Sequence, residues 1–392
     1  MFLSLSLILL VGMSMSWICK KIKLPGLIGM LATGVVLGPY VLNLLDPSIL
    51  NISAELRKIA LVIILTRAGL GLDVAGLKKI GRPAILMCFV PASFELAGIL
   101  LLAPRLLGVS YLEAAIMGAV LAAVSPAVVV PRMVKLTEEG YGMGKAIPQL
   151  ILAGASVDDV YVIVLFTTFT GLATGDKVSA LKFINIPVSI ALGIAIGVGA
   201  GLLLNLFFTK CHMRDTVKVI VFLCISLLLV VAEDAIPIQI TFASLISIMC
   251  MGIGIKQKNE PLAKRLSAKY NKLWVGAEVL LFVLVGATVD ITYVKQAGLG
   301  AVILIFAAMA IRMLGVFVSL IGTKLNMKEK FFTMMAYTPK ATVQAAIGGV
   351  PLALGLGCGN IVLTVAVLAI IITAPLGAFA IDISYKRLLN KQ

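Results

Sequence analysis

Two adjacent carboxylates, Asp158 and Asp159, sit in LAGASVDDVYVIVLF (152–166), a run otherwise fit for a bilayer interior, with no Lys or Arg within ten residues. A charged side chain at the bilayer centre costs about 3 kcal/mol even on lenient scales, so such residues mark ion pathways or proton relays. Five ionisable residues fall deep in apolar runs: Glu95, Asp158, Asp159, Arg312 and Lys340. Three acids against two bases leave a formal charge of −1. Arg67 and Glu278 lie nearer the ends of their runs, where long side chains reach the interface, and they cancel one another if buried. One deep carboxylate is therefore left without a protein counter-charge. It must hold a proton or bind a cation, because an unpaired buried charge is too costly. A single acid contested by H⁺ and a metal ion is the chemistry of an exchanger.

Neighbouring residues on a helix diverge by about 100°. One aspartate is thus expected to face a cavity, and the other a cationic partner. Two close carboxylates resist joint ionisation, and burial adds to that resistance, so proton release falls near physiological pH. Hard cations such as Na⁺ and Li⁺ take oxygen ligands. Asp158 and Asp159 are the metal-binding acids, and Ser156, the Ser125 hydroxyl and carbonyls of a broken helix are the candidates to complete the set. Glu95 in PASFELAGIL and Arg312 in AAMAIRMLGV are opposite in charge and similar in depth, so a buried pair between their helices would satisfy both. Lys340 follows Pro339, where its ammonium can reach opposing half-helix carbonyls or Asp158. The plainer alternatives are an aspartate pair that caps a polar inter-helix network and an Arg67 that merely reaches the headgroups.

The elements that must hold these groups are apolar helices. The chain has 392 residues, 61% hydrophobic and 13% charged, with mean hydropathy +1.12. Soluble domains run nearer roughly half apolar and a quarter charged. The composition predicts an all-α polytopic membrane protein, a single integral membrane unit over 1–392. Runs of roughly 20 apolar residues predict thirteen spans, near 2–18, 25–42, 56–72, 83–104, 111–133, 146–171, 183–208, 216–232, 238–255, 272–289, 297–322, 329–355 and 359–384.

Of 33 Lys and Arg, 24 follow odd-numbered spans or lie in the C-terminal tail, six of them in the loop KQKNEPLAKRLSAKYNK. Cytoplasmic loops carry the Lys/Arg excess, so the N-terminus is expected outside and the C-terminus inside a cell membrane. The same asymmetry assigns the net charge of +15 to topology and anionic lipids, not to nucleic acid. Six Cys with no CxxC pair and one His argue against a disulfide framework or a zinc site, and no cofactor is implied. The first apolar run has no basic residues before it and is expected to be a retained span, not a cleaved signal.

Two pairs of segments echo one another. TRAGLGLD ends the third span at Asp73 and LVGATVD ends the tenth at Asp290, an offset of 217. SPAVVVP in the fifth span and TPKATVQAA in the twelfth are offset by 213 between Pro126 and Pro339. Seven spans separate each pair, and an odd number reverses the direction of crossing. That predicts an inverted-topology repeat, with first-repeat core helices in 56–171, second-repeat core helices in 272–384 and the remaining spans as scaffold. Pro126 and Pro131, like Pro339 and Pro351, interrupt their runs. Broken backbone at membrane depth is tolerated where it is buried or lines a cavity, and paired broken helices point to a transporter's binding site.

LTRAGLGLD, AVSPAVVVP, EEGYGMGKAIPQLILAGASVDD and YTPKATVQAAIG occur in this order, followed by LTVAVLAIIITAPLG. In these stretches, which extend over nearly the whole chain, the sequence resembles the monovalent cation:proton antiporters, and among them the NHA-type sodium/proton antiporters. The resemblance implies that Asp159 is the cation- and proton-carrying acid with Asp158 its neighbour. It further implies that Glu95 and Arg312 are the inter-helix ion pair and that Lys340 is the broken-helix lysine. A core bundle moving like an elevator against a dimerisation domain, and a homodimer, are also implied. The expected activity is exchange of Na⁺ or Li⁺ for H⁺ by alternating access, and the chain is not expected to be an enzyme. K⁺/H⁺ exchange is the alternative, since cavity size is not fixed by the sequence. A passive channel would need a filter loop, and an enzyme a Ser/His or metal-ligand constellation. Nothing in the sequence resembles either.

Overall fold

A computed structural model describes residues 1–72, 81–174, 180–235 and 242–391. Asp73, which ends the first motif, and residues 238–241 of the expected ninth span lie outside them. Every regular element among the described residues is helical. The first are α1 (Phe2–Lys21), α2 (Gly26–Leu37), a short α3 (Pro47–Asn51) and α4 (Ser53–Gly71). The fourth expected span is split into α5 (Arg82–Met87) and α6 (Val90–Leu107), and the fifth into α7 (Tyr111–Leu121) and α8 (Pro126–Glu139). There follow α9 (Ile147–Ala173), α10 (Ala180–Lys210), α11 (Asp215–Ala235), α12 (Ser244–Lys258), α13 (Glu260–Ala287) and α14 (Ile291–Ser319). The twelfth span becomes α15 (Met327–Ala336), α16 (Thr342–Ile347) and α17 (Val350–Ala353), and α18 (Gly359–Leu388) closes the chain. Among the described residues nine helical stretches are long and apolar enough to cross a bilayer, with shorter apolar helices at Gly26–Leu37 and Thr342–Ala353.

Proline and capping chemistry explain where the breaks fall. Pro126 occupies the first position of α8, where its missing N–H would have had no helical partner. Its ring also disfavours helical geometry in the residue before it, and Ser125 is extended at φ −88°, ψ 111°. Pro131 was expected to interrupt the run as well, but α8 continues through it to Glu139. A single lost backbone bond is not enough to end a packed helix. The basic run 256–272 corrects a second expectation. It is not a loop, because α13 already begins at Glu260. Asn259 Oδ1 accepts from Leu262 N at 3.1 Å, and Glu260 pairs with Lys264 at 2.9 Å one turn on. Leu262, Leu266 and Tyr270 give this extension a buried face.

The chain divides into two compact units. One comprises Glu55–Leu72 and Asp176–Leu281. Within it Gly193, Gly197 and Gly201 form a stripe on α10 where any Cβ would run into the backbone of the 243–251 segment. Ser247 Oγ donates to Gly193 O there at 2.9 Å. Small residues that let backbones approach are a principal means of holding helices together in lipid.

The other unit comprises Met1–Ala54, Asp73–Gly175 and Phe282–Gln392. In it α6 packs along α14, with Gly98 against Ile311 and Gly315 against Phe94. The two interrupted segments meet here: Ser125 N donates to Pro339 O at 2.7 Å. The two breaks are thus in direct contact.

Candidate ion-coupling site

The unbroken 27-residue helix α9 carries Asp158 and Asp159 near its middle. Gly154, one turn before Asp158, is needed for a close approach, because a Cβ there would collide with the Tyr337 hydroxyl. Tyr337 is fully buried at the end of α15, and its hydroxyl donates to Met87 O at 3.4 Å. The first side of the second break is thereby laid directly on the aspartate helix.

Arg312 of α14 ties these parts together. Its Nε donates to Tyr337 O at 2.8 Å, Nη1 to Glu95 Oε2 at 2.9 Å and to Ala122 O, and Nη2 to Asp158 Oδ2 at 2.6 Å. Arg312, Glu95 and Asp158 are all fully buried. Lys340 completes the chain of charges, with Nζ 2.6 Å from Glu95 Oε1 and 2.6 Å from Leu121 O. The planar guanidinium serves four acceptor groups from fixed directions, as a lysine ammonium on a flexible stem would not.

The breaks expose backbone groups that helices normally satisfy internally, and here side chains satisfy them. The carbonyls of Leu121, Ala122 and Ala123 at the end of α7 accept from Lys340, Arg312 and Gln344. Cations at a helix C-terminus also meet the negative end of its dipole. On the far side of the break Val124 N donates to Asp158 Oδ2 at 3.0 Å. Asp158 is thus held by a guanidinium and a backbone amide at once.

Asp159 differs. It is 6% exposed, and no ion pair or hydrogen bond among the described residues reaches its Oδ1. Asp158 Oδ1 and Ser125 Oγ are likewise buried without partners. Ser156 lies on α9, but its side chain is outside the described part of the structure. The arrangement can neutralise Asp158 and Glu95 permanently while leaving one acid to exchange its counter-charge.

The sodium/hydrogen exchanger transmembrane family matches residues 5–383. The chain belongs to this family. Sodium/hydrogen exchanger 9B2 of Homo sapiens is 36% identical over 385 residues, spanning 94% of this chain and 70% of that protein. Sodium/hydrogen exchanger 9B1 of Mus musculus is 32% identical, spanning 94% and 66%. Among solved structures, the sodium proton antiporter MjNhaP1 of Methanocaldococcus jannaschii at pH 8 superposes with TM-score 0.86, covering 98% of this chain and 97% of that one at 19% identity. At that identity the likeness shows the fold, which is the antiporter fold expected from the repeat and the broken helices. Membership makes the chain a member of a cation–proton antiport family of multi-pass membrane proteins.

Within this family member, three expectations about the charges are corrected. Glu95 and Arg312 do not form a closed pair. Arg312 is shared with Asp158, and Glu95 with Lys340, because the guanidinium has donors to spare and a carboxylate accepts from two sides. Lys340 reaches the opposing carbonyl Leu121 O but pairs with Glu95, not with Asp158. The break carbonyls, expected to be free for a cation, are engaged by side chains. Arg67 belongs to the other unit, where it is half-buried with Glu278 in Coulombic reach. Gln344 and Tyr337 were not singled out. The signal for Gln344 was its place four residues after Lys340 in the same motif, whereas nothing in sequence spacing marks Tyr337.

Proposed function

We propose that the protein exchanges a monovalent cation, Na⁺ or Li⁺, for H⁺ by alternating access, with Asp159 as the acid that carries either. The carrying observation is that Asp159 is the one deep carboxylate with no cationic partner among the described residues. An acid so placed is neutral when protonated and needs a cation when not. Competition between the two couples their movements. Because Arg312 holds Asp158 at 2.6 Å, one carboxylate cycles, and exchange is one for one and electroneutral. The resemblance supports a core bundle that carries the site in an elevator-like movement, so that access switches sides. The Lys/Arg asymmetry supports an outside N-terminus and a cytoplasmic C-terminus, and the family resemblance supports a homodimer.

The test is flux in proteoliposomes under an imposed pH gradient. The parent should show Na⁺-dependent collapse of the gradient that is unaffected by a clamped membrane potential. Asp159→Asn should abolish it while expressing normally. Cation movement without proton coupling would instead indicate a channel, and coupled exchange with K⁺ but not Na⁺ would reassign the substrate. Substantial Na⁺-driven pH change in the Asn variant would remove Asp159 from the mechanism.

A further inference from the structure

The substrate cation needs oxygen ligands, yet five carbonyls at the breaks already accept hydrogen bonds. Leu121, Ala122 and Ala123 accept from side chains, Tyr337 O accepts from Arg312, and Pro339 O from Ser125 N. Side chains can supply further oxygens. Gln344, fully buried on α16, supplies one.

Its amide orientation is fixed by chemistry. Nε2 lies 2.9 Å from Ala123 O and 3.2 Å from Leu121 O. Both neighbours are acceptors, so the flipped amide would set oxygen against oxygen. Oε1 is therefore turned away from the carbonyls, and it is buried with no partner. The residue it anchors to, Ala123, immediately precedes Val124, whose N–H holds Asp158, and Ser125, whose Oγ is also buried without a partner. Three consecutive residues of one break thus carry Gln344, Asp158 and a bare hydroxyl. A buried amide oxygen left unpaired is destabilising unless something arrives to use it.

We propose that Gln344 is a further cation-binding residue, its Oε1 acting as a neutral oxygen ligand to the transported ion or to one of that ion's waters. This rests on the Asp159 reading above and deepens it. A neutral ligand from the second repeat raises affinity without altering the charge balance of one acid per cycle. It also lets ion size be sensed, because the amide is clamped on two carbonyls and cannot follow a smaller ion freely.

Half-saturation and maximal rate for Na⁺ and Li⁺ are measured in proteoliposomes for the parent, Gln344→Met and Gln344→Glu. The Met variant, similar in length but without the oxygen, should raise the Na⁺ half-saturation by about tenfold or more, with a smaller fall in maximal rate. The Li⁺/Na⁺ ratio should change with it. Gln344→Glu, which keeps an oxygen but loses the donor that grips Leu121 O and Ala123 O, should raise the half-saturation and lower the maximal rate together. A fall in maximal rate alone, with half-saturation and ion ratio unchanged, would mean that Gln344 only braces the break and would overturn the proposal. If the Met variant does not fold, the same comparison is made with Gln344→Asn, whose shorter amide cannot both grip the carbonyls and present its oxygen. Asp159→Asn is assayed alongside. Exchange surviving in that variant defeats the Asp159 reading. Exchange lost there, with Gln344→Met keeping the parent's half-saturation and ion ratio, defeats this inference alone.

Discussion

Asp158 Oδ2 lies 2.6 Å from Arg312 Nη2, both side chains fully buried, while the adjacent Asp159 has no such partner among the described residues. Two residues identical in type and consecutive in sequence therefore have different chemistry. Asp158 ties the aspartate helix to the first break and to α14. Asp159 makes no such tie among the described residues, which is what the proposed ion-carrying role requires.

That difference predicts opposite responses to the same substitution. Asp158→Asn should lower stability by about 3 kcal/mol or more, because it leaves Arg312 with one carboxylate to share with Lys340. Asp159→Asn should melt at or above the parent temperature, because it removes a buried charge without stranding a partner. Thermal melts of the two purified variants in one detergent make the comparison. Equal losses would show that the two acids are held alike.

Arg312→Gln strands Asp158 and leaves Glu95 to Lys340 alone, whereas Glu95→Gln leaves Arg312 still paired with Asp158. The arginine variant should be the less stable by at least about 1 kcal/mol, and each loss is of the size expected for breaking a buried pair, about 3–5 kcal/mol. Combining the two should recover none of the arginine loss, since Asp158 remains unpaired and Lys340 loses Glu95. Full recovery in the double variant would mean that Asp158 does not depend on Arg312.

Lys340→Gln makes the local charge more negative by one, without touching Asp159 directly. Added negative charge favours bound protons over ionised acid. A cation that competes with H⁺ then needs a higher pH to win. The pH of half-maximal exchange should move upward, by about one unit per 1.4 kcal/mol of lost attraction. A titration superimposable on the parent's would show that Lys340 acts only as the cap on Leu121 O.

Gly154→Ala should clash with the Tyr337 hydroxyl and push Tyr337 away from α9, at a cost of about 1–3 kcal/mol. Tyr337→Phe alone loses only the 3.4 Å bond to Met87 O and should be mild. The two together should be more stable than Gly154→Ala alone, because the colliding atom is gone. Additive losses in the double variant would place the strain elsewhere.

The helices themselves were legible because lipid imposes a simple demand: about 20 apolar residues in a self-satisfied backbone. The same demand makes a deep Glu95, Asp158, Asp159, Arg312 or Lys340 conspicuous, and charge neutrality alone says that one acid is left over. Pro126 and Pro339 announce the breaks, since a proline disfavours helical geometry in the residue before it, although Pro131 inside α8 shows that not every proline ends a helix. The α13 extension was missed because basic residues suggest a loop, although they do not oppose a helix. Which acid is left over was implied by the family resemblance alone, not by the residues themselves. Adjacent positions differ only by a rotation about the helix axis, and the partner that decides between them is 154 residues away in sequence on α14. The closed pair expected for Glu95 and Arg312 became a four-residue chain because a guanidinium and a carboxylate each serve more than one partner, and only packing decides how many come within reach. The bare Gln344 oxygen is likewise a tertiary fact. The chain dictates an amide at that position, but the carbonyls of the opposite break decide which end of it is left to meet an ion.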